Sequence, residues 1–185
     1  MASLPNAKTV TYEEWLTMPE VQDAIEEVVN GEIRIMPPAK MIHTWIAQRL
    51  RKSLERQLDD TRVQVFPAEV ALIIRKSPLT TRVPDISVFI VESMVEKNGY
   101  VESPPQLVIE ILSPANTRKR QQEKLADYAA LGVPEVWVVS PEARNVEILL
   151  LEDNQLRRSQ ILAEGFLQPK LFPNVQIDIT QIWPD

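Results

Sequence analysis

The chain has 185 residues, of which 44% are hydrophobic and 25% are charged, and its formal net charge is −6. This length suits one well-packed globular domain, which we expect to span residues 1–185. The absence of cysteine excludes disulfides, thiolate zinc sites and thiol catalysis. No apolar run approaches the roughly 20 residues of a membrane helix, and residues 1–10 show no secretory pattern. We therefore expect a cytoplasmic protein without a membrane partner. The acidic balance argues weakly against indiscriminate nucleic-acid binding.

A short helix, a hairpin and a long helix are predicted at the start of the chain. Thr11 and Glu14 have the spacing of a capping box, which predicts a helix over the segment TYEEWLTM. Asn30-Gly31 lies between two arms of alternating apolar residues, and this dipeptide is the strongest short signal for a β-hairpin. Apolar residues then recur at every fourth position, which predicts a long helix over residues 40–60.

Strands are predicted next. The segments RVQVF, EVALIIR and DISVFIV are rich in β-branched residues and are bounded by proline or polar groups. After Pro104-Pro105, the almost continuously apolar segment QLVIEIL is typical of a strand that is covered on both faces. A second helix is predicted from Thr117 to Leu131, and Gly132 should end it.

Further strands are predicted toward the C-terminus, over EVWVVS, NVEILLLE and LRRSQIL, with a turn at Asp153-Asn154. The segment VQIDITQIW predicts a last strand and a helical turn. The chain contains no repeat and no linker. This order of elements predicts an α/β fold in which a mixed sheet is flanked by helices.

Two acidic residues occupy unusual positions in the predicted strands. Glu110 interrupts QLVIEIL, where an ionised carboxylate is costly unless it is paired or bound to a metal. Asp85 follows Pro84 at the start of another strand, and proline is tolerated at that position of a strand. Mg²⁺ prefers oxygen ligands from one or two carboxylates together with water. We therefore expect Asp85 and Glu110 to share one Mg²⁺ ion, for which Mn²⁺ can substitute.

A lysine on the second predicted helix is the third candidate. Spacings of three and four residues place on one helix face a stripe made of Gln121, Lys124, Leu125 and Tyr128. Because Leu125 is apolar, this face should pack on the sheet. Lys124 could then compensate the two acids and hold an attacking water or a phosphoryl group. The alternative is a salt bridge from Lys124 to Glu110 or Asp127 that only satisfies charge.

The remaining candidates have more ordinary alternatives. His43, the single histidine, either acts on a phosphate or nucleophile or lies on the surface at a helix start. Tyr128 hydrogen-bonds into the site or belongs to the core, and Gln121 is a further accessory candidate. The run 118–120, Arg-Lys-Arg, grips a DNA backbone or is simply solvated. Positive charge at the start of a helix opposes the helix dipole and is unfavourable. This cost favours a functional reason for the presence of these residues.

Several motifs together resemble a known family. In chain order they are E-x-x-N-G-E-I (27–33), P-P-A-x-x-x-H (37–43), V-P-D (83–85), P-x-L-V-I-E-I-L-S-P (105–114), E-K-L-x-x-Y (123–128) and G-V-P-E-V-W-V-V-x-P (132–141). With these motifs the chain resembles the Uma-two family of restriction-endonuclease-like proteins, in the PD-(D/E)xK nuclease superfamily, from about Tyr12 to the C-terminus. The resemblance implies a restriction-endonuclease-like αβββαβ core, which the extra C-terminal strands would extend.

The resemblance also implies roles for individual residues. Asp85 would be the motif aspartate and Glu110 the motif glutamate. Leu112 stands where many superfamily members carry lysine, so Lys124 on the following helix would replace that lysine. Glu27 matches the N-terminal acidic residue and would join the metal ligands. The chain departs from the family at Arg120, where related sequences often carry aspartate, and Thr117 would cap the helix there instead.

Three functions compete at this point. The leading one is a Mg²⁺-dependent DNA endonuclease that hydrolyses phosphodiester bonds, with the backbone carbonyl of Ile111 as a further ligand. The second is a catalytically inactive nuclease-fold protein that binds DNA or regulates, because fold alone does not determine function. The third is an oligomeric interaction protein.

A homodimer is also expected, because it would present two sites to the two strands of a duplex. The segments NVEILLLE and VQIDITQIW would supply its apolar surface, unless they extend the sheet and are buried internally.

Overall fold

The computed structural model describes residues 9–19, 21, 24–113 and 117–184. Residues 1–8 and Pro114, which belong to segments discussed above, lie outside the described residues. The first helix, α1 (Tyr12–Leu16), begins with the predicted capping box. The Glu14 backbone N–H donates to Thr11 Oγ1 at 3.2 Å, and the Thr11 backbone N–H donates to Glu14 Oε2 at 3.0 Å.

The predicted hairpin is confirmed. Strands β1 (Ile25–Val29) and β2 (Glu32–Met36) pair antiparallel around Asn30 and Gly31, whose φ angles are 54° and 83°. Positive φ at both turn residues is what a type I′ turn requires. Helix α2 (Met41–Glu55) follows. It ends earlier than the predicted residue 60, because the chain turns at Asp59, whose carboxylate accepts from the Thr61 backbone N–H at 3.0 Å.

The remaining elements alternate between strands and one helix. Residues 63–111 form β3 (Val63–Pro67), β4 (Leu72–Lys76), β5 (Leu79–Arg82), β6 (Ile86–Ile90), β7 (Glu96–Lys97), β8 (Tyr100–Val101) and β9 (Leu107–Ile111). Helix α3 (Arg118–Leu131) comes next, capped by Thr117. The last strands are β10 (Glu135–Ser140), β11 (Asn145–Glu152), β12 (Gln155–Leu162), β13 (Phe166–Leu167) and β14 (Ile177–Asp178), and the last strand runs into a 3-10 turn at Ile179–Gln181.

Six strands form the central mixed sheet, in the order β12-β11-β10-β9-β6-β3. Strands β9 and β10 are parallel, and helix α3 makes the crossover between them. The other neighbours in this sheet pair antiparallel. The predicted mixed sheet with flanking helices is therefore confirmed.

A second sheet has the order β5-β4-β8-β7, and strands β5, β7 and β8 were not predicted. Strand β5 has the sequence LTTR, and all four of its residues are buried. The polar residues of this segment are typical of a loop. In the structure the strand is hydrogen-bonded to the first hairpin: Val28 N–H donates to Thr81 Oγ1 at 2.8 Å, and Gly31 N–H donates to the Leu79 carbonyl at 2.8 Å. Thr81 and Val28 are 53 residues apart in the chain, and sequence periodicity does not reveal such a contact.

Both faces of the central sheet are covered, which explains the continuous apolar run of β9. Leu107, Ile109 and Ile111 pack toward α2 and the C-terminal segment. Val108 packs on the opposite face, with Tyr128 of α3. Because side chains alternate along a strand, Glu110 lies on the same face as Val108, toward α3.

The C-terminal segment does not supply a dimer surface. Its apolar residues are each at most 5% exposed and belong to the core beside α2: Val175, Ile177, Ile179, Ile182 and Trp183. The expectation that this segment leaves surplus apolar surface is therefore wrong, because the segment is buried internally. Among the described residues, no helix is long and apolar enough to cross a membrane.

Candidate active site

Strands β6 and β9 bring Asp85 and Glu110 together. The antiparallel register pairs Ile86 with Ile109 and Ser87 with Val108. Continued by one residue, it places Asp85 opposite Glu110, and directly opposed residues point to the same face of a sheet. The backbone N–H of Ile111 donates to Asp85 Oδ2 at 2.6 Å and so fixes the position of that carboxylate next to the end of β9.

Lys124 approaches the pair from α3. Its Nζ lies 3.0 Å from both carboxylate oxygens of Glu110 and 3.3 Å from Glu27 Oε1. The Tyr128 hydroxyl donates to Glu110 Oε1 from one turn further along the helix. The predicted stripe on α3 therefore faces the acids. The alternative partner of Lys124, Asp127, binds a different cation.

Burial and charge shift the ionisation of these groups. Burial, reinforced by the negative charge of Asp85 and opposed by Lys124, raises the pKa of Glu110 to about 7. For Lys124, burial lowers the pKa, but the charges of Glu110, Glu27 and Asp85 outweigh it and raise the pKa above its usual value. The ammonium of Lys124 is therefore protonated at neutral pH and compensates the acids.

Glu27 reaches the site but is surrounded by donors. Its Oε2 accepts from Arg82 Nη1 at 2.9 Å, and its Oε1 accepts from the Val83 backbone N–H at 3.1 Å in addition to the contact with Lys124. Within residues 9–19, 21, 24–113 and 117–184, no group of three or more His, Asp or Glu side chains is arranged to hold a metal. The geometry thus opposes two acids, Asp85 and Glu110, while Glu27 is held by three donors.

The sequence did not reveal Arg82, and it suggested Asp127 only as a partner of Lys124. Arg82 Nε donates to Asp127 Oδ2 at 2.8 Å, and its Nη2 lies 2.7 Å from the same oxygen as an ion-pair contact without hydrogen-bond alignment. The Arg82 side chain is 3% exposed. Arg82 thereby joins β1 to α3 through two carboxylates. The available signal was Asp127, which lies three residues after Lys124 on the same helix.

His43 also belongs to the site. It lies in the first turn of α2, and its Nε2 is 3.1 Å from Asp85 Oδ2, with 16% of the side chain exposed. Burial by itself lowers the pKa of His43. The hydrogen bond to Asp85 and the negative charge of Asp85 together raise the pKa by a larger amount, so it lies above its usual value. His43 therefore lies at a helix start, as expected, but its side chain is mostly buried and contacts Asp85.

Of the basic run 118–120, only the last residue lies near the candidate site. Arg120 and Gln121 line a cleft between β2 and α3 that opens beside Glu110 and Lys124, whereas Arg118 and Lys119 are exposed and do not line it. The Arg120 backbone N–H donates to Thr117 Oγ1 at 3.2 Å, which confirms Thr117 as the cap of α3.

The donor chemistry of the site fits a divalent cation. Four acidic side chains lie near only two cations in the site: Asp85, Glu110, Glu27 and Asp127 beside Lys124 and Arg82. Both hydrogen bonds to Asp85 end on Oδ2, so its Oδ1 has no hydrogen-bond donor among the described residues. A hard cation bound through one or two carboxylates matches this arrangement.

Comparison with known proteins agrees with the fold and with the motifs. The Uma2 family model, described as "Putative restriction endonuclease", matches residues 11–180. A solved structure titled a "putative nuclease belonging to DUF820", from Anabaena variabilis, is similar with a TM-score of 0.76 and 21% identity, over 94% of this chain and 97% of that chain. No curated protein sequence matches. The match over residues 11–180 confirms the resemblance seen in the motifs, and this chain belongs to the Uma2 family of restriction-endonuclease-like proteins.

Proposed function

We propose that this protein is a Mg²⁺-dependent DNA endonuclease that hydrolyses phosphodiester bonds. The observation that carries the proposal is the opposed pair Asp85 and Glu110, with the Lys124 ammonium 3.0 Å from Glu110. Asp85 and Glu110 would hold the ion, and Mn²⁺ would substitute for Mg²⁺. When bound, the ion would supply Lewis-acid stabilisation of the scissile phosphate and a more acidic water.

The protein's own groups prepare this site. Ile111 N–H and His43 orient Asp85, and the hydroxyl of Tyr128 orients Glu110. Lys124 keeps a positive charge beside the acids, from which it can donate to an attacking water or to an oxygen of the phosphate. Because these donors are fixed before substrate arrives, little reorganisation is needed in the transition state.

Glu27 has a supporting role in this proposal. Its carboxylate is held by Arg82 and Val83 N–H, and its remaining contact is with Lys124. Glu27 would therefore position the lysine and would not bind the ion directly.

The partner and the setting are part of the same proposal. DNA would lie along the face that carries residues 118–120, whose positive charges suit a phosphate backbone. We propose one restriction-endonuclease-like domain over residues 1–185, a cytoplasmic location and a homodimer that presents two sites to a duplex.

A plasmid-cleavage assay with Mg²⁺ or Mn²⁺ tests the activity. Asp85→Asn should lower the cleavage rate by about 10²-fold or more, in the range seen when one essential electrostatic group is removed. Asp153→Asn is the matched control, because Asp153 lies in an exposed turn with a φ of 49° that asparagine also adopts. Mn²⁺ binding by calorimetry should be lost in Asp85→Asn and retained in Asp153→Asn. Equal cleavage and equal binding by both variants would contradict the proposal.

A further inference from the structure

The cleft between β2 and α3 has features that the proposed hydrolysis does not use. Glu110 and Lys124 are among the residues that line it. Its walls are mainly apolar and come from four elements: Ile35 and Met36 of β2, Leu112 after β9, Leu125 of α3 and Val138 of β10. Ile35 is 51% exposed, although the side chains around it form a concave surface. An exposed apolar wall beside a candidate active site marks a surface that a ligand covers.

Two polar side chains in the cleft are not engaged. Arg120 and Gln121 line it, and neither side chain has a hydrogen bond or ion pair with any residue that the structure describes. Arg34, in contrast, forms an ion pair of 3.1 Å with Glu123 and so ties β2 to α3 across the cleft. Arg120 and Gln121 therefore offer an unengaged cation and an unengaged amide, with both donor and acceptor groups, to whatever enters the cleft.

The size of the cleft limits the ligand. Its cavity measures about 60 Å³, which is enough to hold more than one water molecule. We take its occupant to be a single flat group of the size of one nucleobase. The apolar walls suit the faces of a base, the amide of Gln121 suits its polar edge, and Arg120 suits the adjoining phosphate.

We propose that this cleft binds one unpaired nucleotide of the DNA, next to the phosphate that is cleaved. The inference rests on the proposed nuclease function and names the substrate form that its site accepts. A base inside an intact duplex cannot enter a cleft of this kind, because its edge is paired and its faces are stacked. The enzyme therefore prefers single-stranded DNA, or a duplex with an extrahelical nucleotide, over a fully paired duplex.

Binding without cleavage tests the inference. Fluorescence anisotropy in a metal chelator compares three labelled probes of one sequence: a single strand, a fully paired duplex, and that duplex with one extrahelical nucleotide. The first and third probes should bind about tenfold more tightly than the paired duplex, in line with the stacking contribution of one base. Equal affinity for all three probes, or tighter binding of the paired duplex, would overturn the inference.

Neighbouring glutamines supply a matched pair of variants. Gln121→Ala should reduce the preference for the unpaired probes, whereas Gln122→Ala should not, because Gln122 is exposed on α3 and does not line the cleft. Ile35→Ala should also reduce the preference, with Ile161→Ala as its control, because Ile161 is 47% exposed on β12 outside the cleft. Arg118→Ala should weaken all probes alike, as the loss of a backbone phosphate contact does. An unchanged preference in both cleft variants would refute the inference.

The two proposals fail separately. If the wild-type protein prefers unpaired probes in a manner that depends on Gln121 but cuts neither plasmid DNA nor single-stranded DNA with Mg²⁺ or Mn²⁺, the nuclease proposal fails, and the cleft remains a binding site for an unpaired nucleotide. If it cuts plasmid DNA but shows no such preference, the cleft inference fails and the nuclease proposal stands.

Discussion

At the scale of single residues, Glu27 is a buried carboxylate that lies between two cations. Its side chain is 2% exposed, and the Arg82 and Lys124 cations contact it from two sides. Removing one member of a buried ion pair leaves the other charge uncompensated, which costs about 3–5 kcal/mol. This energetic role differs from that of a metal ligand, whose removal relieves repulsion between acids.

We therefore predict that Glu27→Gln lowers the free energy of unfolding of the metal-free protein by about 3–5 kcal/mol. Chemical denaturation measures this value. Glu55→Gln is the control, because Glu55 makes an exposed i,i+4 pair with Arg51 whose loss should cost less than about 0.5 kcal/mol. If Glu27→Gln stabilises the metal-free protein, Glu27 is a metal ligand after all.

At the scale of elements, Glu135 connects β10 to the segment that precedes the last strand. Its Oε1 accepts from the Trp137 indole N–H at 2.6 Å, and its Oε2 accepts from the Lys170 backbone N–H at 2.8 Å. Burial raises the pKa of Glu135, and the hydrogen bonds from Trp137 and Lys170 only partly oppose it. The folded state therefore retains the proton of Glu135 to a higher pH than the unfolded state does.

This pKa shift fixes the sign of a pH dependence. As pH rises above the unfolded pKa of about 4.3, the unfolded chain loses the proton first, so the contribution of Glu135 to stability falls until the folded carboxyl has also ionised. We predict that Glu135→Gln is less stable than wild type, because its amide cannot accept from both N–H groups. Between about pH 4 and pH 7 its stability should fall less than that of wild type. Urea unfolding across this range measures both slopes, and parallel slopes would contradict the prediction.

Local elements were predictable from the sequence where the signal was local. The Asn30-Gly31 turn and the capping box at Thr11 depend on residues a few positions apart, and both are confirmed. Strand β5 was missed because Thr81 is buried by a hydrogen bond to Val28, 53 residues away in the chain. Periodicity detects amphipathic faces, and a buried strand with polar side chains has none.

The residues of the candidate site also differ in whether the local sequence could reveal them. Glu110 stood out because a carboxylate in an apolar strand needs a partner, and the structure supplies Lys124 and Tyr128. Arg82 did not stand out, because its partners come from β1 and α3 and only the folded chain brings them together. The apolar residues of VQIDITQIW were equally compatible with a core and with an interface, and packing against α2 decides for the core.

At the scale of the whole molecule, a homodimer would need a surface other than the buried C-terminal segment. The first turns of α2 carry three large apolar side chains that are 44–65% exposed: Met41, Ile42 and Trp45. Spacings of three and four residues place them on one side of the helix. Exposed apolar groups that lie together in this way mark an interaction surface. The same helix carries His43, so a two-fold contact here would place two candidate sites side by side.

We predict that the protein is a homodimer at micromolar concentration and that Trp45→Glu converts it to a monomer, because each copy would bury a charge in a self-complementary contact. Light scattering measures the mass of both forms. Phe166→Glu is the control, since Phe166 is 60% exposed on β13 and is not part of the apolar group on α2, so the dimer should persist in that variant. A monomer mass for the wild-type protein would exclude the dimer. A dimer that survives Trp45→Glu but dissociates in Phe166→Glu would move the interface from α2 to β13.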